Sequence, residues 1–216
     1  MRVALIAGAS GLVGGHLLRL LLEHSTWDRV VSVGRRELSV DSPQLEQRFV
    51  DFAAIGDLPP VHDVFCALGT TIKKAGSREA FSAVDHDAVV AVATAARAAG
   101  ASTFGHVTAL GADPGSRLFY NRVKGETERD VATVGIECTT AFRPSMLDGH
   151  REESRPAEQA GLAMMRAVAP LIGRYRPTRA EHVASAMLRV AREGHPGVRA
   201  VEAAEITRLG GDSRGA

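Results

Sequence analysis

The chain has 216 residues, 45% of them hydrophobic and 24% charged, with a formal net charge of +1. That length supports one well-buried core, so a single domain over 1–216 is expected. The balanced charge excludes a protein that holds nucleic acid or a membrane surface by basic excess.

Three of the 26 basic side chains are lysines (Lys73, Lys74, Lys124) and two residues are tyrosines. The positions of these scarce types carry information that the many arginines do not. Cys66 and Cys138 lie far apart in apolar, strand-like runs, which excludes a disulfide scaffold or zinc site and points to a reducing compartment. No apolar run approaches the length of a membrane span. The first two dozen residues interrupt their apolar stretch with glycines, His16 and Arg19, unlike a secretory signal, so a cytoplasmic protein is expected.

In chain order, residues 2–7 form a short β-branched, apolar run ending at glycine, and 12–23 carry apolar residues at helical spacing. Residues 29–33 read as a second strand, 47–51 as a weaker third, and 63–67 as a fourth between Pro59-Pro60 and Gly69. A long Ala-rich helix is predicted over 77–99, a fifth strand over 102–108, a helix over 118–133 and a sixth strand over 136–142. Strands alternating with helices predict an α/β fold, a Rossmann-like doubly wound parallel sheet with helices on both faces. After Pro144 come a charged run over 151–158, helices over 157–169 and 179–192, and a late strand over 198–203 that could rejoin the sheet edge. Residues 145–195 are expected to form a small substrate-side lobe, and the last residues to be frayed.

The first strand-to-helix turn reads Gly8-Ala9-Ser10-Gly11-Leu12-Val13-Gly14. In that context it is a dinucleotide cradle: Gly8 allows the tight turn, Gly11 lets backbone approach a pyrophosphate, and Gly14 lets helix and strand pack closely. The free N–H groups and positive dipole end of the helix face the phosphates. At the end of the second strand, where a carboxylate would select NAD, stand Arg35 and Arg36. Guanidinium groups suit a 2′-phosphate, so NADP(H) is expected over NAD(H). Asp51 and Phe52, after the third strand, are expected beside the adenine.

Tyr120 and Lys124 form Y-x-x-x-K on a predicted helix, which sets both side chains on one face. A free phenol ionises near pH ~10, and a neighbouring ammonium favours its phenolate, making such a tyrosine a usable proton donor and acceptor. Lys124 can also reach the nicotinamide ribose. Thr108, twelve residues before Tyr120, is expected to orient a substrate oxygen. The Asp85-His86-Asp87 triplet is read as a solvated helix start, because consecutive helical positions do not converge on a metal. Cys66 is read as a buried structural thiol, and Lys73 and Lys74 either as contacts to a substrate or a cofactor phosphate or as loop surface.

The segments GASGLVG, VGRREL, VDF, HDVFCALGTTIKKAGS, AFSAVDHD, LGADPGSRLFYNRVKGETE and FRPSMLDGHREESRPAE resemble an atypical short-chain dehydrogenase/reductase. More narrowly, they resemble the human Tat-interacting, metastasis-suppressor oxidoreductase-like group, over roughly residues 2–190. The resemblance implies a Rossmann fold binding NADP(H), with Thr108 in the place of a serine, Tyr120 as the acid/base and Lys124 as the assisting lysine. It implies that Ala67, Leu68 and Gly69 line the cofactor and that Pro144, Ser145 and Met146 lie beside the nicotinamide. Two departures stand out: threonine replaces serine, and Asp85 stands where such families often carry a catalytic Asn.

Three functions fit these residues. The first is an NADP(H)-dependent oxidoreductase acting on a small carbonyl or alcohol. The second is an NADP(H)-binding regulator that works through a protein partner without turnover. The third is a nucleotide-sugar epimerase or dehydratase.

Overall fold

A computed structural model describes residues 1–148 and 176–211. Seven strands build the main sheet: β1 (Val3–Ala7), β2 (Arg29–Gly34), β3 (Leu45–Phe49), β4 (Asp63–Cys66), β5 (Thr103–Val107), β6 (Cys138–Arg143) and β9 (Gly197–Glu202). Every pairing is parallel, in the order β3-β2-β1-β4-β5-β6-β9. A separate two-residue pair joins β7 (Leu147–Asp148) to β8 (Thr178–Arg179). The doubly wound Rossmann architecture expected from the sequence is the one observed.

β1 and β4 are buried along their whole lengths, which is why they read as continuous apolar runs rather than as alternating patterns. One face of the sheet is covered by α1 (Leu12–Glu23), α6 (Ala180–Glu193) and α7 (Ala203–Gly211), through Leu17, Leu21, Val183, Met187 and Ile206. The other is covered by α4 (Ala88–Ala98) and α5 (Phe119–Thr133), through Val89, Val92, Ala96 and Val131.

At the amino-terminal edge of the sheet, the fully buried Asp63 gathers four donors. Arg2 Nε and Nη2 lie at 2.6 and 2.9 Å, Trp27 Nε1 at 2.7 Å and the Thr103 hydroxyl at 2.7 Å. These donors stand at the starts of β1, β2 and β5, so one carboxylate ties together four adjacent strands.

Four expectations need correction. The helix predicted over 77–99 is in three pieces: α3 (Arg78–Ser82), a π turn (Ala83–Asp87) and α4, with the short α2 (Ile72–Ala75) before them. The third strand lies two residues earlier than predicted, because pairing with β2 sets its register from Val30↔Leu45 to Gly34↔Phe49 and an edge strand has weak alternation of its own. Residues 180–193, assigned to a substrate-side lobe, form α6 and pack in the core against α1. Part of the tail expected to be frayed is α7, which packs so closely on α6 that a Cβ on Gly210 would lie 2.2 Å from the His182 carbonyl oxygen. The charged run over 151–158 and the helix predicted over 157–169 lie outside the described residues.

Candidate active site

β1 and β4 are neighbours whose following helices cover opposite faces of the sheet, so a crevice opens at their carboxyl ends. Gly8 turns the chain there with φ +87°, a conformation that side chains rarely adopt, and a Cβ would fall 2.7 Å from the Ala67 carbonyl. Gly11 N–H donates to Gly8 O at 2.9 Å and closes the turn. Gly11 also caps α1, with no side-chain cap bond and no acidic residue in the first turn. The amino end of α1 therefore keeps its free N–H groups and positive dipole end for an anion.

Gly14 brings α1 hard against this turn, since a Cβ would sit 2.0 Å from Gly8 O and 3.0 Å from Ala9 Cα. All of these neighbours are backbone. Gly14→Ala is expected to cost ~1–3 kcal/mol of stability. Gly15→Ala, whose Cβ would meet only Ala9 O at an ordinary 3.7 Å, should be neutral or slightly stabilising. Denaturant melts of the two variants check this, and equal stability would mean that the turn yields.

A cleft of about 250 Å³ joins Gly8 and Ser10 to Arg35, Arg36, Asp51, Phe52 and Leu68. It thus brings together residues chosen from four separate segments. Arg35 and Arg36 are exposed, and Asp51 accepts from Ala53 N–H at 3.0 Å. Leu12 and Val13 form the first turn of α1, and Val13 is turned into the core. Ala67 N–H donates to Ala7 O at 2.8 Å, which holds the β4 loop against the cradle. Pro144, Ser145 and Met146 follow β6. Pro144 O accepts from Leu110 N–H, the Ser145 hydroxyl donates to the Arg176 carbonyl, and Met146 is exposed.

The second half of the site lies on α5. Tyr120 is exposed and its ring lies 5.5 Å from that of Phe81 on α3. One turn on, Lys124 is buried, and its Nζ meets Asp85 Oδ1 at 2.7 Å. Asp85 Oδ2 accepts from Thr70 N–H at 2.8 Å, and the Asp85 carbonyl accepts from the Thr127 hydroxyl at 2.9 Å. Asp85 is 1% exposed, so its reading as part of a solvated helix start is wrong. Asp85 lies within the π turn, on the face that meets α5. His86 points elsewhere, to Asp87 at 2.7 Å and Asp130 at 2.9 Å. Burial opposes its charge, but the two carboxylates outweigh burial and raise its pKa. Among the described residues no cluster suited to a metal ion occurs.

Thr108 is buried and its hydroxyl donates to Glu128 Oε1 at 2.6 Å. Arg143 grips Glu128 at 2.5 and 2.9 Å and reaches Glu202 at 2.9 Å. Glu128 lies two helical turns beyond Tyr120, about 12 Å along the axis. The Thr108 hydroxyl is thus committed to this polar network rather than presented to a substrate. Glu128 and Arg143 were missed as site-shaping residues, and the pairing of Asp85 with Lys124 was not foreseen, because helical phase and local spacing do not reveal cross-element pairing. Burial pushes the Cys66 thiol up to about 12 and His106, beside the Lys124 charge, down to about 3, so both are neutral.

No family model matches the sequence. Among curated proteins, "Protein fmp52, mitochondrial" of Aspergillus fumigatus is 39% identical over 168 residues, 73% of this chain and 71% of that protein. "Protein FMP52, mitochondrial" of Eremothecium gossypii is 32% identical over 215 residues, 95% of this chain and 96% of that one. The chain belongs to the FMP52/HTATIP2 family. "Protein HTATIP2" of Rattus norvegicus is 39% identical over 160 residues, 71% of this chain and 66% of that protein. These relatives bear out the resemblance to the Tat-interacting oxidoreductase-like group.

Solved structures with the same fold include MoeE5 in complex with UDP-glucose and NAD, with a TM-score of 0.70, 18% identity and coverage of 98% of this chain and 82% of that one. Bordetella bronchiseptica WbmH in complex with NAD+ has a TM-score of 0.71, 19% identity and coverage of 94% and 76%. At such identities the likeness speaks for the fold alone. The cytoplasmic expectation is overturned, because the fungal members of the family are named as mitochondrial. The reading of the first two dozen residues as unlike a secretory signal bears on secretion and not on mitochondrial import.

Proposed function

We propose that the chain is an NADP(H)-dependent oxidoreductase of the atypical short-chain type, which interconverts a small carbonyl compound and its alcohol. The observation that carries this reading is the single cleft that joins the uncapped amino end of α1 to Arg35 and Arg36. The residues present fit a dinucleotide: Gly8 and Gly14 leave no room for a Cβ, which brings backbone N–H groups to the crevice where a pyrophosphate needs them. Arg35 and Arg36 supply cations for a 2′-phosphate, while Asp51 and Phe52 border the adenine end.

The nicotinamide, when bound, supplies or accepts the hydride. Tyr120, exposed on α5, exchanges a proton with the substrate oxygen. Lys124, one turn along the same face, stabilises negative charge developing on the Tyr120 oxygen. Thr108, Glu128 and Arg143 hold α5 against the ends of β5 and β6, which keeps that face in register with the crevice. The commitment of the Thr108 hydroxyl to Glu128 favours a second reading, a cofactor-binding regulator without turnover.

Calorimetric titration with NADPH and NADH tests the cofactor assignment. Trp27 is a poor reporter, because it lies with Asp63 at the opposite edge of the sheet. NADPH should bind ~10-fold or more tightly than NADH, since one charge-assisted bond is worth about that much. Arg35→Glu combined with Arg36→Glu should erase the preference. Equal affinities in the wild type would overturn the 2′-phosphate assignment.

A further inference from the structure

We infer that Asp85 is a positioning residue that pins the Lys124 ammonium and offsets part of its charge, and so sets how strongly Lys124 acts on the Tyr120 phenol. The inference rests on the proposed role of the Tyr120–Lys124 pair, and its test reads the phenol directly. Two contacts in matching register carry it. Phe81 meets Tyr120 with ring centres 5.5 Å apart, and four residues later on each element Asp85 meets Lys124 at 2.7 Å. The pair is almost sealed from solvent, with side-chain exposures of 5% for Lys124 and 1% for Asp85. Oδ2 is taken by Thr70 N–H, so the carboxylate cannot swing away without breaking that contact, and the Asp85 backbone is held in place by the Thr127 hydroxyl on its carbonyl. Oδ1 faces the Lys124 ammonium and has no other partner among the described residues.

Among the described residues, two further titratable groups feel the Lys124 charge. Lys124 is faced by Asp85 from the π turn, by Cys66 from β4 and by His106 from β5. The thiol and imidazole are both neutral near pH 7. Along α5, Glu128 is spent on Arg143 and Thr108. Phe81 faces Tyr120 with an uncharged ring, and Arg78, a turn before, lies over Phe119 at 5.0 Å. In a buried site an anion 2.7 Å from an ammonium cancels much of its field at a third group, whereas an amide in its place would not. An Asn at position 85 could still accept from Thr70 while leaving the lysine charge at full strength. Asp85 thus weakens and fixes the pull of Lys124 on the phenol.

The test is an ultraviolet titration of phenolate absorbance in the full chain carrying Tyr175→Phe, which leaves Tyr120 as the only phenol. Adding Asp85→Asn should make the phenolate band rise at a pH lower by on the order of one unit. An unmoved or raised midpoint, with far-ultraviolet dichroism matching the parent, overturns the inference. If Asp85→Asn does not fold, Asp85→Ser is titrated in its place; with Lys124 intact it must titrate below the parent, and an unmoved midpoint overturns the inference. A purely structural role for Asp85 would not move the band in this direction. A shifted band without any NADPH oxidation supports the inference and overturns the oxidoreductase reading. Turnover with an unmoved band does the reverse.

Discussion

Tyr120→Phe should reduce NADPH-linked reduction of a carbonyl substrate by roughly 10²–10⁴-fold, the usual contribution of a positioned acid/base. The substitution is clean. Phenylalanine keeps the ring packed on Phe81 and removes only the hydroxyl, and no hydrogen bond of that hydroxyl helps to hold the described fold. Thermal stability and NADPH affinity should therefore match the wild type. Initial rates over a panel of carbonyl compounds, with a melting curve for each protein, separate the two effects. Activity that survives in Tyr120→Phe would remove Tyr120 from the chemistry. Tight NADPH binding by the wild type without turnover of any compound would favour the regulator.

The largest loss of stability is expected at the other edge of the sheet. Asp63→Ala should cost ~3–5 kcal/mol, the range found when one partner of a buried ion pair is removed. For a chain of this size that lowers the melting temperature by on the order of 10 °C. The loss compounds several effects: the Arg2 guanidinium loses its partner, and the Trp27 N–H and Thr103 hydroxyl are stranded where water does not reach. Asp63→Asn should fall between the two, because its amide oxygen still accepts while its amide nitrogen faces donors. Denaturant melts of the three proteins give the order directly. A cost below about 1 kcal/mol for Asp63→Ala would place this network with ordinary surface substitutions.

The parts of the site legible in the sequence are those with local geometry. Gly8 and Gly14 mark a turn because only glycine tolerates the φ of the first and the close backbone approach at both, and Tyr120 and Lys124 share a face because they are one helical turn apart. The same logic misplaced Asp85. It was read with His86 and Asp87 as a solvated helix start, yet it lies four residues from each of the buried Phe81 and Val89, and it sits in the π turn against Lys124 of α5. Thr108 shows the converse: its distance in sequence from Tyr120 was read correctly, yet its hydroxyl bonds Glu128, a partner on another element.

The sequence by itself determined the alternation of strands and helices, the glycine turn after β1 and the Tyr120–Lys124 face, because each is set by the backbone preferences of neighbouring residues and by period. Only the tertiary structure decided which charges are buried together. It set Asp85 against Lys124, Glu128 against Thr108 and Arg143, and Asp63 beneath four strands. It also brought α6 into the core, where a lobe had been expected. The physical reason is common to all of these. A buried charge or polar group needs a partner, and that partner comes from whichever element packs opposite, which neither local propensity nor spacing encodes.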